Sequence, residues 1–379
     1  MNTHHVLVVG SGAAGASTAY ALARKGARVT LVDSDYEGQA TAAGAGIVQP
    51  WSTEATGTFQ HFYTAGAEYY PTLIADLNAS GVPDIGYRRS GALIVSRDAG
   101  RLDQVNDRVA ARARGSALAG EVARMGNARA RELFPPLAKD LEGLYISGGA
   151  RVDGRTLRNA LIRAMCRHGG SLVAGVARLE HSSSHSGSSH PGVSVWVGDH
   201  AIPADAVVVA AGAWTNAVLR PLGRRLPIEP QRGQITHLRL PGADTARWPT
   251  VHPLTGHYLV AFEDSRIVIG ATRETGSGFD PRVTAAGQLQ ILTNALEIAP
   301  GLADATFIET RVGLRPVSGN ELPFIGPVTG IPGLYVNAGF GAVGLTMGPY
   351  AGNLLSDLIL QTTPGTAPKT DEGGLLTAL

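Results

Sequence analysis

Three glycines set the terms on which this chain can fold. Gly10, Gly12 and Gly15 stand in the spacing G-x-G-x-x-G within VLVVGSGAAG, directly after an apolar run at 6–9 and directly before an alanine-rich stretch at 13–25. The apolar run predicts a strand and the alanine-rich stretch a helix; Gly26 and a second strand at 28–33 follow. That order is a beta-alpha-beta unit. Gly10 permits the tight turn, Gly12 leaves room for a pyrophosphate, and Gly15 lets helix and strand approach. The helix N-terminus, with Ala13 and Ala14 in its first turn, offers free N–H groups and a positive dipole end to phosphates. Asp33, followed by Ser34, ends the second strand where a carboxylate would accept hydrogen bonds from an adenosine ribose. Taken separately, three glycines are turn chemistry and an Asp after a strand is a cap. Together they point to a dinucleotide. The charge of Asp33 opposes the 2'-phosphate of NADP but does not choose between NAD and FAD.

A chain of 379 residues has room for two ordinary domains, or for one large domain with a second grown from its loops. Its formal net charge of +1 gives no field to draw nucleic acid or an acidic membrane, so the expected partner is a small molecule. The single cysteine, Cys166, excludes an internal disulfide framework and a cysteine-built metal site. It falls in a stretch, 157–168, that reads as a helix, and an inert buried thiol is preferred to a reactive one. The first five residues lack Lys and Arg, and no stretch reaches the roughly 18 to 20 apolar residues of a membrane span. A soluble, cytoplasmic protein is expected; homo-oligomeric assembly is left open.

Further strand-like hairpin signals recur at 87–96, 192–197, 234–240, 258–260 and 266–270, interspersed with helical stretches at 100–125 and 284–298. This mixture predicts an antiparallel sheet inserted into a parallel one. The segment HSSSHSGSSH, 181–190, lies between two strand-like runs and reads as a mobile hairpin loop. Its histidines His181, His185 and His190 have no acidic or thiol partner nearby, so a solvated loop is preferred to a metal site. Residues 345–361 have helical apolar spacing, and 362–379 read as a loose tail. No internal repeat is visible.

Three later segments resemble the FAD-dependent oxidase and dehydrogenase family that includes D-amino-acid oxidase, glycine oxidase and sarcosine oxidase. They are GQATAAGAGIVQP at 38–50, DAVVVAAGAWTNAVL at 205–219, and the long run at 312–360 that joins GLRP, ELPFIG, a strand, a glycine loop and a helix. The resemblance covers nearly the whole chain. It implies a Rossmann-like α/β FAD-binding domain (GR2-type) with an inserted antiparallel-sheet α+β substrate domain. It further implies FAD contacts from Thr41, Ala42, Ala45, Gly46 and Ile47, from Gly212 and Trp214, and from the backbone of Val176 toward adenine. In the C-terminal loop the implied contacts are Gly339, Gly341, Val343, Gly344, Leu345 and Thr346. Small residues there let backbone approach a flat ring, and a helix starting near Leu345 would aim its positive end at the flavin. Some family members attach FAD through a Cys in this region; 339–347 contains none, which implies a noncovalent cofactor.

At the substrate end, the resemblance implies that Arg315 of GLRP grips a substrate carboxylate and that Tyr258, one strand before the GAT turn, hydrogen-bonds it. An apolar residue follows GAT in glycine oxidase; here it is Arg273. That departure argues against glycine itself. Arg273 either binds an acidic or polar side chain of the substrate or pairs with Glu274 or Glu263. The motif Arg232-Gly233-Gln234 recurs in the family without an assigned chemical role.

The expected organisation is an FAD domain from 1–49, 148–222 and 313–361, a substrate domain from 50–147 and 223–312, and the tail. The expected reaction is oxidation of an amino acid or N-alkyl amino acid to an imine that water hydrolyses, with O2 or another carrier taking the electrons. An NAD-dependent dehydrogenase and a non-catalytic dinucleotide-binding regulator are the alternatives.

Overall fold

The strand that leads into the glycine turn, His5–Val9, is buried along its whole length, as is Ala206–Val209 beside it. Both are runs of apolar residues without alternation, the pattern of a strand covered on both faces. In the computed structural model, which describes residues 4–182, 192–319 and 321–361, these two form the centre of a six-stranded sheet. Its order is Phe324–Pro327, Leu334–Ala338, Ala206–Val209, His5–Val9, Arg28–Asp33, Ser171–Ala174. All neighbours are parallel except the edge pair of Phe324–Pro327 with Leu334–Ala338. Leu7 registers with Thr30 on one side and Val207 on the other.

The first helix, Ala13–Arg24, packs across the last, Gly344–Gln361, through small residues. A Cβ on Gly352 would lie 2.6 Å from the backbone nitrogen of Thr18, so only glycine permits this approach. The contact brings the start of the last helix beside the glycine turn.

The second large sheet has nine strands. Its backbone is the long antiparallel pair Ile228–Arg239 and Thr306–Ser318, in register from Ile228 opposite Ser318 to Arg239 opposite Thr306, with one irregularity between His237 and Leu238. Arg266–Gly270 and Tyr258–Ala261 extend it antiparallel. The fold is thus the Rossmann-like sheet joined to a largely antiparallel one.

Several expectations need correction. Residues 87–96 do not form a hairpin: Tyr87–Arg89 pairs with Ala150–Val152, whereas Ala92–Ser96 joins the nine-stranded sheet. The helical stretch at 100–125 is a helix only over Ala99–Ala113; Gly115 and Gly120 break it, and Val122–Met125 is a strand. Cys166 is exposed, because the helix Gly154–Arg167 buries Leu157, Ala160, Leu161, Ala164 and Met165 and position 166 falls off that face. The loop expected at 181–190 falls outside the described residues except for His181, the exposed last residue of a strand, and Ser182. The tail at 362–379 lies outside them too. Among the described residues no helix is long and apolar enough to cross a membrane, and no three potential ligands gather as for a metal.

Candidate active site

A single cavity of about 870 Å3 runs from the glycine turn to the face of the nine-stranded sheet that carries Arg315. Ligand sites span about 300 to 1,000 Å3, so this one has room for a large cofactor and a small substrate.

At the nucleotide end, Gly10, Gly12, Ala13 and Ala14 line the wall, and Gly10 has a φ of +100°. A Cβ at Gly10 would also meet the Ala210 carbonyl at 2.5 Å. Gly15 is not on the wall; it faces Gly10 and Ala210, which is the helix–strand packing its spacing predicts. The Asp33 carboxylate accepts from the Ser11 amide at 2.5 Å and the Asp35 amide at 2.7 Å, which orients it while leaving acceptor capacity toward the cavity. Ser34 lies beside it. Thr41 lines the wall and its hydroxyl accepts from the Ala13 amide at 2.9 Å, capping the first helix from 28 residues away. Ala45, Gly46 and Ile47 continue the wall, but Ala42 does not, because its carbonyl turns to accept from Arg311.

Val176 lines the cavity and is 56% exposed, an apolar surface offered to whatever fills it. Gly212 and Trp214 line it as well. Trp214 stacks on Tyr36 at 5.5 Å between ring centroids and meets Phe279 at 5.7 Å, a three-ring array built from distant parts of the chain. Sequence patterning gave no signal for Tyr36 or Phe279. Opposite, Gly341, Val343, Gly344, Leu345 and Thr346 line the wall where the last helix begins. The Thr346 hydroxyl donates to the Ile47 carbonyl at 3.0 Å, tying this helix start to the 38–50 segment. Gly339 is set back in the turn, facing Phe324, Ile228 and Ser318 rather than the cavity.

At the far end, Arg315 donates through Nη1 to the Thr272 carbonyl at 2.9 Å and to Gln231 Oε1 at 3.3 Å. Its guanidinium rests over Gly233 on the paired strand. Burial lowers its pKa from the ordinary value, with the Tyr258 phenol opposing that shift and the Arg273 charge adding to it. Burial raises the Tyr258 phenol, so it stays protonated and able to donate near neutrality. Arg273, Tyr258 and Arg315 all line the cavity, as do His252 and His257. Burial lowers both histidines, His252 to about 4, which makes His252 neutral at physiological pH.

The RGQ motif acquires a role here. Arg232 pairs with Glu274 at 2.6 Å and Asp280 at 2.8 Å, Gly233 makes room for Arg315, and the Gln234 side chain donates to Glu274 at 2.7 Å. The motif scaffolds the loop that carries Arg273. The pairings suggested for Arg273 from the sequence do not form: Glu274 is taken by Arg232, Gln234 and Thr272, and Glu263 by Arg88 and Arg151.

The glycine cradle, a pre-oriented carboxylate, an exposed apolar valine and a helix start converging on one cavity fit FAD. The comparisons agree. The family model for FAD dependent oxidoreductases matches residues 5–358. The solved iminodiacetate oxidase of Chelativorans sp. BNC1 superposes with a TM-score of 0.90 at 47% identity, over 96% of this chain and 97% of that one. The oxidoreductase YurR of Bacillus subtilis is 43% identical over 97% of this chain and 99% of its own length. A glycine oxidase of Pseudomonas putida is 30% identical over 98% of this chain and 99% of its length.

Proposed function

This chain belongs to the FAD-dependent oxidoreductase family, and on that premise we propose that it oxidises a carboxylated amine, either an amino acid or an N-alkyl amino acid, at the carbon between nitrogen and carboxylate. The observation that carries this reading is the convergence of Arg315 and Tyr258 on the cavity wall opposite the glycine turn. A fork of N–H donors beside a protonated phenol is a receptor for a carboxylate in a water-poor site. The names of the relatives support the range: glycine is a primary amine and iminodiacetate a secondary one.

In this reading residues 1–49, 148–222 and 313–361 form the cofactor domain. Gly10, Gly12 and the first turn at Ala13 and Ala14 hold the pyrophosphate, Asp33 the ribose, and Val176 the adenine. Thr41, Ala45, Gly46, Ile47 and the helix start at Gly344 to Thr346 border the flavin. Bound FAD supplies the acceptor for a hydride. Arg315 and Tyr258 fix the carboxylate and so aim the adjacent C–H bond. The amine reacts as its free base, its proton having passed to water, and its lone pair closes the C=N bond as the hydride departs. Water then adds to the resulting iminium and the C–N bond breaks, giving an oxo acid and ammonia from an amino acid or an amine from an N-alkyl amino acid.

The test is anaerobic bleaching of the flavin absorbance by D-, L- and N-methyl amino acids against alkylamines without a carboxylate. Bleaching confined to carboxylated amines is expected. No bleaching by any of them, or equal bleaching by both groups, would overturn the reading.

A further inference from the structure

We propose that Arg273 receives a second carboxylate, so that the preferred substrate is a short amine carrying one carboxylate on each side of the nitrogen. This rests on the amine-oxidation reading and names the far end of the substrate. Arg273 shares the cavity wall with Arg315 and Tyr258, yet among the described residues its guanidinium makes no hydrogen bond or ion pair. The acids nearest in sequence are engaged elsewhere, and Glu54 and Glu321, also on the cavity wall, do not pair with it.

An exposed arginine ordinarily needs only water. Arg273 differs in how it is held. On one side Thr272 is fully buried, accepts from Arg315 through its carbonyl and donates to Glu274 Oε1 at 2.7 Å. On the other, Glu274 is gripped by Arg232 and Gln234. Both neighbours are tied while the side chain between them is left to the cavity. Gly256, with a φ of +80°, gives it space, since a Cβ there would stand 2.8 Å from Arg273 Nη1.

Two cations on one wall repel, and the Arg273 charge contributes to lowering both Arg315 and His257. A monocarboxylate on Arg315 leaves that repulsion half relieved. A dicarboxylate relieves it fully. Because Arg315 is the more buried of the two, its carboxylate is the one beside the carbon that loses hydride. That C–H bond breaks with its electron pair going to FAD, the nitrogen lone pair closes C=N, water adds, and the C–N bond breaks. The oxo acid leaves the Arg315 side, and the released amine keeps the carboxylate held by Arg273.

The test uses the holoenzyme with two amines, iminodiacetate and sarcosine, and two unreactive ethers, oxydiacetate and methoxyacetate, whose binding is read from the flavin absorbance. The ratio of kcat/KM for iminodiacetate over sarcosine should fall about 30-fold in R273Q, the scale of one lost charged hydrogen bond. The oxydiacetate Kd should rise at least tenfold relative to that of methoxyacetate, and R273K should recover part of each. Flavin content and Tm report folding. An unchanged ratio in R273Q, or wild-type oxydiacetate binding no tighter than methoxyacetate, would overturn the assignment. A wild type that turns over neither amine, and whose flavin no carboxylated amine bleaches, sinks the amine-oxidation reading instead, while the ether binding still decides the role of Arg273.

Discussion

The Cβ that Gly233 lacks would stand 2.5 Å from Cζ of Arg315 and 2.6 Å from its Nη1, so the guanidinium lies on bare backbone of the paired strand. In the register, Arg315 faces Gln231 and Gly233 faces Gly313, which makes Gly233 the diagonal neighbour on the same face. A side chain at 233 would lift the guanidinium toward the cavity. Gly233→Ala should therefore raise KM for carboxylated amines about tenfold or more, as overpacking of about 1 to 3 kcal/mol implies. Flavin content should hold. Steady-state kinetics with N-methylglycine check it, and an unaltered KM would show that Arg315 does not need this seat.

Replacing Arg315 should be worse than crowding it. Arg315→Ala removes a half-buried fork and leaves the Tyr258 phenol and the Thr272 carbonyl without their charged partner. The expected loss in kcat/KM is about 100-fold or more, from about 3 kcal/mol for a charged partner in a desolvated site. Arg315→Lys should recover little, because an ammonium cannot reach Thr272, Gln231 and a carboxylate in one plane. Turnover within threefold of wild type in Arg315→Ala would remove the clamp from the mechanism.

The nucleotide end was largely legible because it is local. Strand, turn, helix and strand within 5–33 were readable to within about a residue, since the glycine spacing and the apolar runs are set by near neighbours. The loops were legible only by family likeness, and the structure leaves Ala42 and Gly339 off the cavity wall: which way a peptide turns depends on partners such as Arg311 and Phe324, hundreds of residues away or on the neighbouring strand. The function of RGQ was opaque for the same reason. Arg232 and Gln234 act on Glu274, some 40 residues on, and no period in a strand announces a loop it will anchor. Cys166 was a failure of a different kind. The helical period was available, and the buried positions at 157, 160, 161, 164 and 165 exclude 166.

Thr41 joins two parts of the nucleotide site. Its hydroxyl caps Ala13 and occupies the space beside Gly12, where a Cβ would come within 3.3 Å of it. Thr41→Val keeps the shape and removes the acceptor, leaving an orphan helix amide. A loss of about 1 kcal/mol of stability is expected from the cap alone, seen as a lower Tm of the FAD-free protein. The FAD-loaded protein should lose more, because weaker cofactor binding adds to it. Equal losses with and without FAD would confine Thr41 to capping.

Acid should unfold this protein through histidines as well as carboxylates. His237 is 1% exposed, and burial, followed by the charges of Arg311 and Arg266, lowers its pKa to about 4; burial alone lowers His252 to about 4. In the unfolded chain both take a proton near pH 6.5, whereas the folded protein keeps them neutral until about 4. The unfolded state therefore binds more protons between these values. This stability is fully present above about 6.5 and is lost as the pH drops toward 4; the carboxylates of Asp153, Glu274 and Glu309, all lowered in the folded protein, add a further loss as the pH falls through their folded values. His237→Gln removes one proton from this balance without touching the cavity. Its Tm measured from pH 7 to 4.5 should decline less steeply than that of the wild type, even if it starts lower for want of packing. Parallel declines would mean that His237 does not resist protonation, and the acid sensitivity would then belong to the other lowered histidines, His5, His252 and His257, or to the carboxylates.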